Sequence, residues 1–114
     1  MKYTIPPPTT KIFGANTPET SILNSYIPRT IQRKIEFINE RNWSVTIHRN
    51  AYGQPSTALC EMVGTPVRAK IVVDIYHAPA TNGAIIIHQN RPYPVEKDTT
   101  DLIKTLRPLI HNIA

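Results

Sequence analysis

Val67, Ala69, Ile71, Val73 and Ile75 fall at strict period two, with Arg68, Lys70, Val72, Asp74 and Tyr76 between them. Successive side chains of a strand point to opposite faces, so the run predicts a half-buried strand over 67–77. Its dry face is the Val-Ala-Ile row, and its wet face carries Arg68, Lys70, Asp74 and Tyr76. A sheet with one dry face needs a layer to cover it. This requirement organises the rest of the chain.

Strand partners lie on both sides. Val45-Thr46-Ile47-His48-Arg49 is β-branched and alternating; Ser56 to Val63 suits a short helix through Ala58, Leu59, Met62 and Val63 as well as a strand, and strand is preferred because both neighbours are strands. Ala51-Tyr52-Gly53-Gln54-Pro55 is turn chemistry. Ala78 to Gly83, with Asn82-Gly83 tolerating positive φ, predicts a hairpin returning through Ala84 to Gln89. Arg91-Pro92-Tyr93-Pro94 reads as an extended exit loop.

Two amphipathic helices supply the cover. Thr17-Pro18-Glu19 opens a short helix through Tyr26, with a hydroxyl cap, proline in the first turn and an acid behind it. Ile27, Ile31, Ile35 and Ile38 then recur at spacings of one helical face, which predicts a helix over 28–42. Leu102, Ile103, Leu106, Leu109, Ile110 and Ile113 form the stripe of a closing helix capped by Asp98 or Thr99, with a kink or break expected after Arg107 because Pro108 removes a hydrogen bond. Pro6-Pro7-Pro8-Thr9-Thr10 has neither periodicity, so residues 1–16 read as a proline-rich arm, with a short strand over Met1 to Ile5 as a further option. The expected fold is one α+β domain over 17–114: a small antiparallel sheet of three or four strands with two main helices on one face.

Composition bounds the function. The chain has 114 residues, no apolar run near the roughly 20 residues of a membrane span and no apolar leader in Met1–Pro6. The expected setting is cytoplasmic, with no membrane partner. Cys60, the only cysteine, makes no internal disulfide and reads as a small buried hydrophobe. The four histidines have no HxH or HxxxH spacing and the glycines form no phosphate loop, so no metal or other cofactor is expected.

The net charge of +5 is concentrated in the middle third. Residues 25–70 hold Arg29, Arg33, Lys34, Arg41, Arg49, Arg68 and Lys70 against Glu36, Glu40 and Glu61, a local excess of +4, whereas 71–114 is neutral. An excess of this kind points to an anionic partner. The expected contact residues are Arg29, Arg33, Arg49, Arg68, Lys70 and Tyr76, a basic and partly aromatic surface.

The predicted function is a non-enzymatic binding module, a small adaptor, inhibitor or immunity-type protein that engages a protein partner. Homodimerisation through the terminal helix or an edge strand is a further expectation. Nucleic acid is the alternative partner, because Arg68 and Lys70 lie about 6–7 Å apart along the predicted strand and can meet successive phosphates while Tyr76 stacks a base. The order of elements, from Val67-Arg68-Ala69-Lys70-Ile71-Val72-Val73-Asp74-Ile75 to the closing helix, resembles double-stranded-RNA-binding domains. With a leading strand it is similar to ribosome-hibernation factors. That resemblance implies RNA binding, but Asp98 and Asp101 stand where those RNA-binding domains carry a basic first turn. A second alternative is a small metal-independent ribonuclease toxin, in which His48, His77 or His88 would transfer protons beside Arg49, Tyr76 or Tyr93, with Asp74 orienting an imidazole.

Overall fold

The computed structural model describes residues 7–75, 84–95 and 97–111. Six strands form one antiparallel sheet in sequential order: β1 (Thr9–Phe13), β2 (Trp43–Arg49), β3 (Pro55–Met62), β4 (Ala69–Asp74), β5 (Ala84–His88) and β6 (Arg91–Pro94). Helices α1 (Pro18–Tyr26) and α2 (Arg29–Gln32) and a 3-10 turn at Ile38–Glu40 connect β1 to β2, and α3 (Thr100–His111) follows β6. The α+β class and antiparallel sheet agree with the sequence reading. The sheet is larger than the expected three or four strands, and the helical layer has three α-helices rather than two.

The register explains the burial. Val45, Cys60, Ile71 and Ile86 lie side by side across β2 to β5, and each is at most 1% exposed. Trp43, Ile47, Ala58, Val73 and Ala84 continue this face above and below the row. Leu23, Ile27 and Ile31 from the first helical segment and Leu102, Leu106 and Leu109 from α3 close over it. Burying a leucine is worth about 1.5–3 kcal/mol. Leu102, Leu106 and Leu109 of the α3 stripe are therefore spent inside the chain, with Ile103 and Ile110 partly buried beside them. Lys70 and Asp74 lie on the other face, as the alternation predicts.

Local chemistry sets the ends of the elements. Thr17 caps α1 reciprocally: its Oγ1 accepts from the Thr20 amide at 3.3 Å, and the Thr20 hydroxyl accepts from the Thr17 amide at 3.1 Å. The helix expected over 28–42 is instead one turn of α2 followed by tight turns. The Lys34 and Ile35 amides bond three residues back, to Ile31 and Gln32, and Phe37 takes φ 54°, which no right-handed helix accommodates. Ile31 and Ile35 are still buried, at 4% and 6% exposure.

At the chain's edges the proline-rich segments behave differently from the sequence reading. Thr9–Phe13, placed in the arm by composition, pairs with β2. Arg91–Pro94, read as an exit loop, forms β6 after a two-residue turn in which Gln89 and Asn90 both have positive φ. Such a turn makes His88 and Arg91 a hydrogen-bonded pair, and alternation puts the next at Ile86 and Tyr93. Pro92 and Pro94 thus occupy positions whose nitrogens face away from β5, where a missing donor costs the ladder nothing. Of the kink or break expected after Arg107, a break is absent: α3 continues as helix through Pro108. Met1 to Ile5, Tyr76, His77 and the 78–83 hairpin lie outside the described residues.

Candidate binding cleft

Where the end of α1, α2 and the segment from β6 to α3 meet, a cleft of about 860 Å³ opens to the surface. Its apolar lining includes Ile27, Ile38, Tyr93 and Val95, and Arg29, Arg33 and Lys97 stand on it as cations. Among the described residues no carboxylate lines it.

Each side chain is held there for a local reason. Arg29 and Arg33 are four residues apart across α2, which puts them on one side of the turn at about 5–6 Å between β-carbons. Both are exposed, and neither guanidinium has a hydrogen bond or ion pair with a described residue. The orientation of α2 is fixed by Gln32, whose Nε2 donates to the Ile27 carbonyl at 2.7 Å and the Asn24 carbonyl at 3.0 Å. Tyr93 faces the cleft because it pairs with Ile86, on the covered side of the sheet.

Tyr26 ties this wall to α3. Its hydroxyl donates to the Asp98 carbonyl at 2.6 Å and accepts from the Leu102 amide at 3.2 Å. Burial pushes the phenol above the usual tyrosine range, the Leu102 amide pulls it down, and the Asp101 and Asp98 carboxylates push it up. It therefore stays a neutral donor. Lys97 lies with its Nζ 4.8 Å from the centre of the Tyr26 ring and donates to Ser25 Oγ at 2.8 Å, so the ammonium is anchored at the rim. Phe37, immediately before Ile38, is 68% exposed.

The six residues expected to form one contact surface are separated. Arg29 and Arg33 come together at the cleft. Arg68 and Lys70 meet Glu61 in a smaller hollow of about 260 Å³ at the end of β3 and β4, and Lys70 Nζ is 3.8 Å from Glu61 Oε1. Arg68 precedes β4 rather than alternating within it. Arg49 is withdrawn from the surface: it is 9% exposed, because position 49 falls on the covered face, and its Nη1 donates to the Gly53 carbonyl at 3.2 Å. Tyr76 lies outside the described residues.

Lys97 and Tyr26 were not among the expected contacts, and nothing in the sequence near them marks a site. They reach the cleft only because α3 docks against α1, 72 residues apart along the chain for the Lys97–Ser25 bond. Tyr93 had been weighed only as a partner for a catalytic histidine.

The other candidate chemistries are dispersed. His48 is exposed on the open face of β2, whereas His88 is 6% exposed on the covered face of β5, so the two imidazoles do not share a surface. Burial pushes the Cys60 thiol up to about 12. Among the described residues no group of three His, Cys, Asp or Glu side chains is placed to hold a metal ion, and no helix is long and apolar enough to cross a membrane. Compared with known protein families, curated proteins and solved structures, the chain matches none.

Proposed function

We propose that the chain is a binding module whose cleft between α2 and the β6–α3 segment takes an acidic, partly apolar segment of a protein partner. The observation that carries this reading is the convergence of Arg29, Arg33 and Lys97 over a lining of Ile27, Ile38, Tyr93 and Val95. Cations over an apolar floor suit carboxylates alternating with large side chains, because apolar contact adds affinity while charge sets orientation. A phosphodiester track asks for something else: a row of free cations along one continuous surface. Here the cations are divided between the cleft and the Glu61 hollow, and Arg49 is internal. Phe37, the residue before the cleft's Ile38, offers an exposed aromatic anchor of the kind that dominates interface energetics.

The test is fluorescence anisotropy with a labelled peptide alternating Glu or Asp with Leu and Phe, run beside a single-stranded oligonucleotide of equal length. The peptide is expected to bind, and Arg29→Glu with Arg33→Glu is expected to weaken it by about tenfold or more, the loss of one or two charge-assisted contacts. Arg107→Glu, outside the cleft lining, leaves binding unchanged. Tighter binding of the oligonucleotide, with affinity falling steeply in salt, would replace this reading with a nucleic-acid one.

A further inference from the structure

The face of the sheet turned away from the helices is covered by no described element. Across its middle, Leu59, Val72 and Ile85 lie side by side on β3, β4 and β5, and Pro94 continues the row. Ile87 sits beside Lys70 in the adjoining row. Leu59, Val72 and Ile87 are half-buried, and Ile85 is 36% exposed. A solvated sheet face ordinarily alternates to polar residues, as Thr10, Thr46 and Thr57 do around this stripe. A contiguous aliphatic stripe at its centre marks a surface that meets another protein.

We infer that this face is the interface of a homodimer in which two copies stack sheet on sheet about a two-fold axis parallel to the strands, above the gap between β3 and β4. Glu61 and Lys70 on this face are self-complementary in that arrangement. The rotation keeps each residue in its row and exchanges β3 with β4, so Leu59 of one copy lies over Val72 of the other, and Glu61 over Lys70. Within one chain Glu61 and Lys70 are 3.8 Å apart with side chains 44% and 40% exposed, a pair worth about 0–1 kcal/mol alone. In the dimer the two pairs become a square of alternating charge flanking the apolar stripe.

The available area is sufficient. Six strands about 4.8 Å apart, each presenting about 17 Å of length, span roughly 500 Å². With the relief of the side chains, about 600–700 Å² per copy is buried, which reaches the lower range of stable protein interfaces. Stacked sheets lie about 10 Å apart, which leaves room for Val and Ile but not for a water layer. The inference does not rest on the cleft, which lies on the helical side and shares Pro94 with this face.

Sedimentation equilibrium on the full chain tests it. The wild type is expected to be a dimer at about 100 μM, well above the micromolar limit of weak interfaces of this size. Ile85→Lys is expected to be monomeric there, with an unchanged far-UV spectrum because the site is already partly exposed. Glu61→Lys and Lys70→Glu, each alone, place four like charges in the square and are expected to weaken association more than tenfold. An equimolar mixture of these two variants restores opposite charges and is expected to give a mixed dimer. A monomeric wild type overturns the inference. So does a dimer indifferent to Ile85→Lys, or a mixture that fails to associate.

Discussion

Nε1 of Trp43 donates to Oδ1 of Asn24 at 2.8 Å inside the core, where Trp43 has no exposed surface and Asn24 has 8%. The same asparagine offers its backbone carbonyl to Gln32. One residue of α1 therefore joins the first buried position of β2 to the turn that carries Arg29 and Arg33. The geometry of the cleft depends on a hydrogen bond in the interior.

Asn24→Ala leaves the indole N–H buried without an acceptor and is expected to cost about 1–3 kcal/mol. Urea unfolding followed by far-UV circular dichroism measures it, since Trp43 is the only indole and one variant lacks it. Trp43→Phe in the Asn24→Ala background should cost less than the two separate losses combined, because the orphaned donor is gone. Strict additivity would show that the bond contributes nothing specific.

Phe37 holds φ 54° and ψ 45°, a left-handed conformation that costs a non-glycine residue about 1–2 kcal/mol. Phe37→Gly relieves that strain and, after the added entropy of the unfolded chain, is expected to raise stability by about 0.5–1 kcal/mol. Phe37→Ala keeps the strain and removes the ring, so it should leave stability nearly unchanged. Both variants are expected to weaken peptide binding at the cleft. A thermal melt beside the anisotropy titration separates the two effects.

Asp98 and Tyr26 predict opposite ends of the stability profile. The Thr100 hydroxyl and amide donate to the Asp98 carboxylate at 2.6 and 2.8 Å and hold its pKa below the ordinary value. That contribution is complete above the unfolded value of about 4 and is lost as pH falls through the lower folded one. Thr100→Val should therefore be less stable than wild type at pH 7, with the difference closing in acid. Tyr26, chiefly through burial, has a raised pKa, so its contribution is complete below about pH 10 and is lost as pH rises through the folded value. Tyr26→Phe should narrow its stability gap to wild type in strong alkali. Denaturant midpoints across pH measure both.

Cys60 has no exposed surface, and burial pushes its thiol up to about 12. A disulfide reagent at neutral pH is expected to label it only through global unfolding. Asn24→Ala should accelerate labelling by the factor that matches its loss of stability. Rapid labelling of the wild type, before any unfolding, would contradict the packing of β3.

The covered face was legible in the sequence because period two in Ala69, Ile71 and Val73 admits only one strand orientation. The closing helix was legible for the same kind of reason, through Leu102, Leu106 and Leu109. The segment after Pro28 misled because Ile27, Ile31 and Ile35 satisfy a chain of tight turns as well as they satisfy an α-helix, and nothing in Phe37 announces positive φ. Arg91–Pro94 was hidden by its own prolines and Thr9–Phe13 by the Pro6–Pro8 run before it; prolines lower strand propensity without forbidding an outer strand. Of the cleft, Arg29 and Arg33 were visible as charge. Lys97 and Tyr26 belong to it only through tertiary docking, which no local pattern encodes.

The placement of Pro92 and Pro94 limits how copies of this molecule can grow into larger assemblies. With no amide hydrogen at either proline on the outer side of β6, an incoming strand finds carbonyls there and too few donors to form a ladder. Of the two outer strands among the described residues, β1 at the opposite margin has no proline and keeps its outward donors. A molecule able to add a neighbour on one flank alone pairs once and then stops, so open-ended fibrils built by lateral strand addition are closed to it.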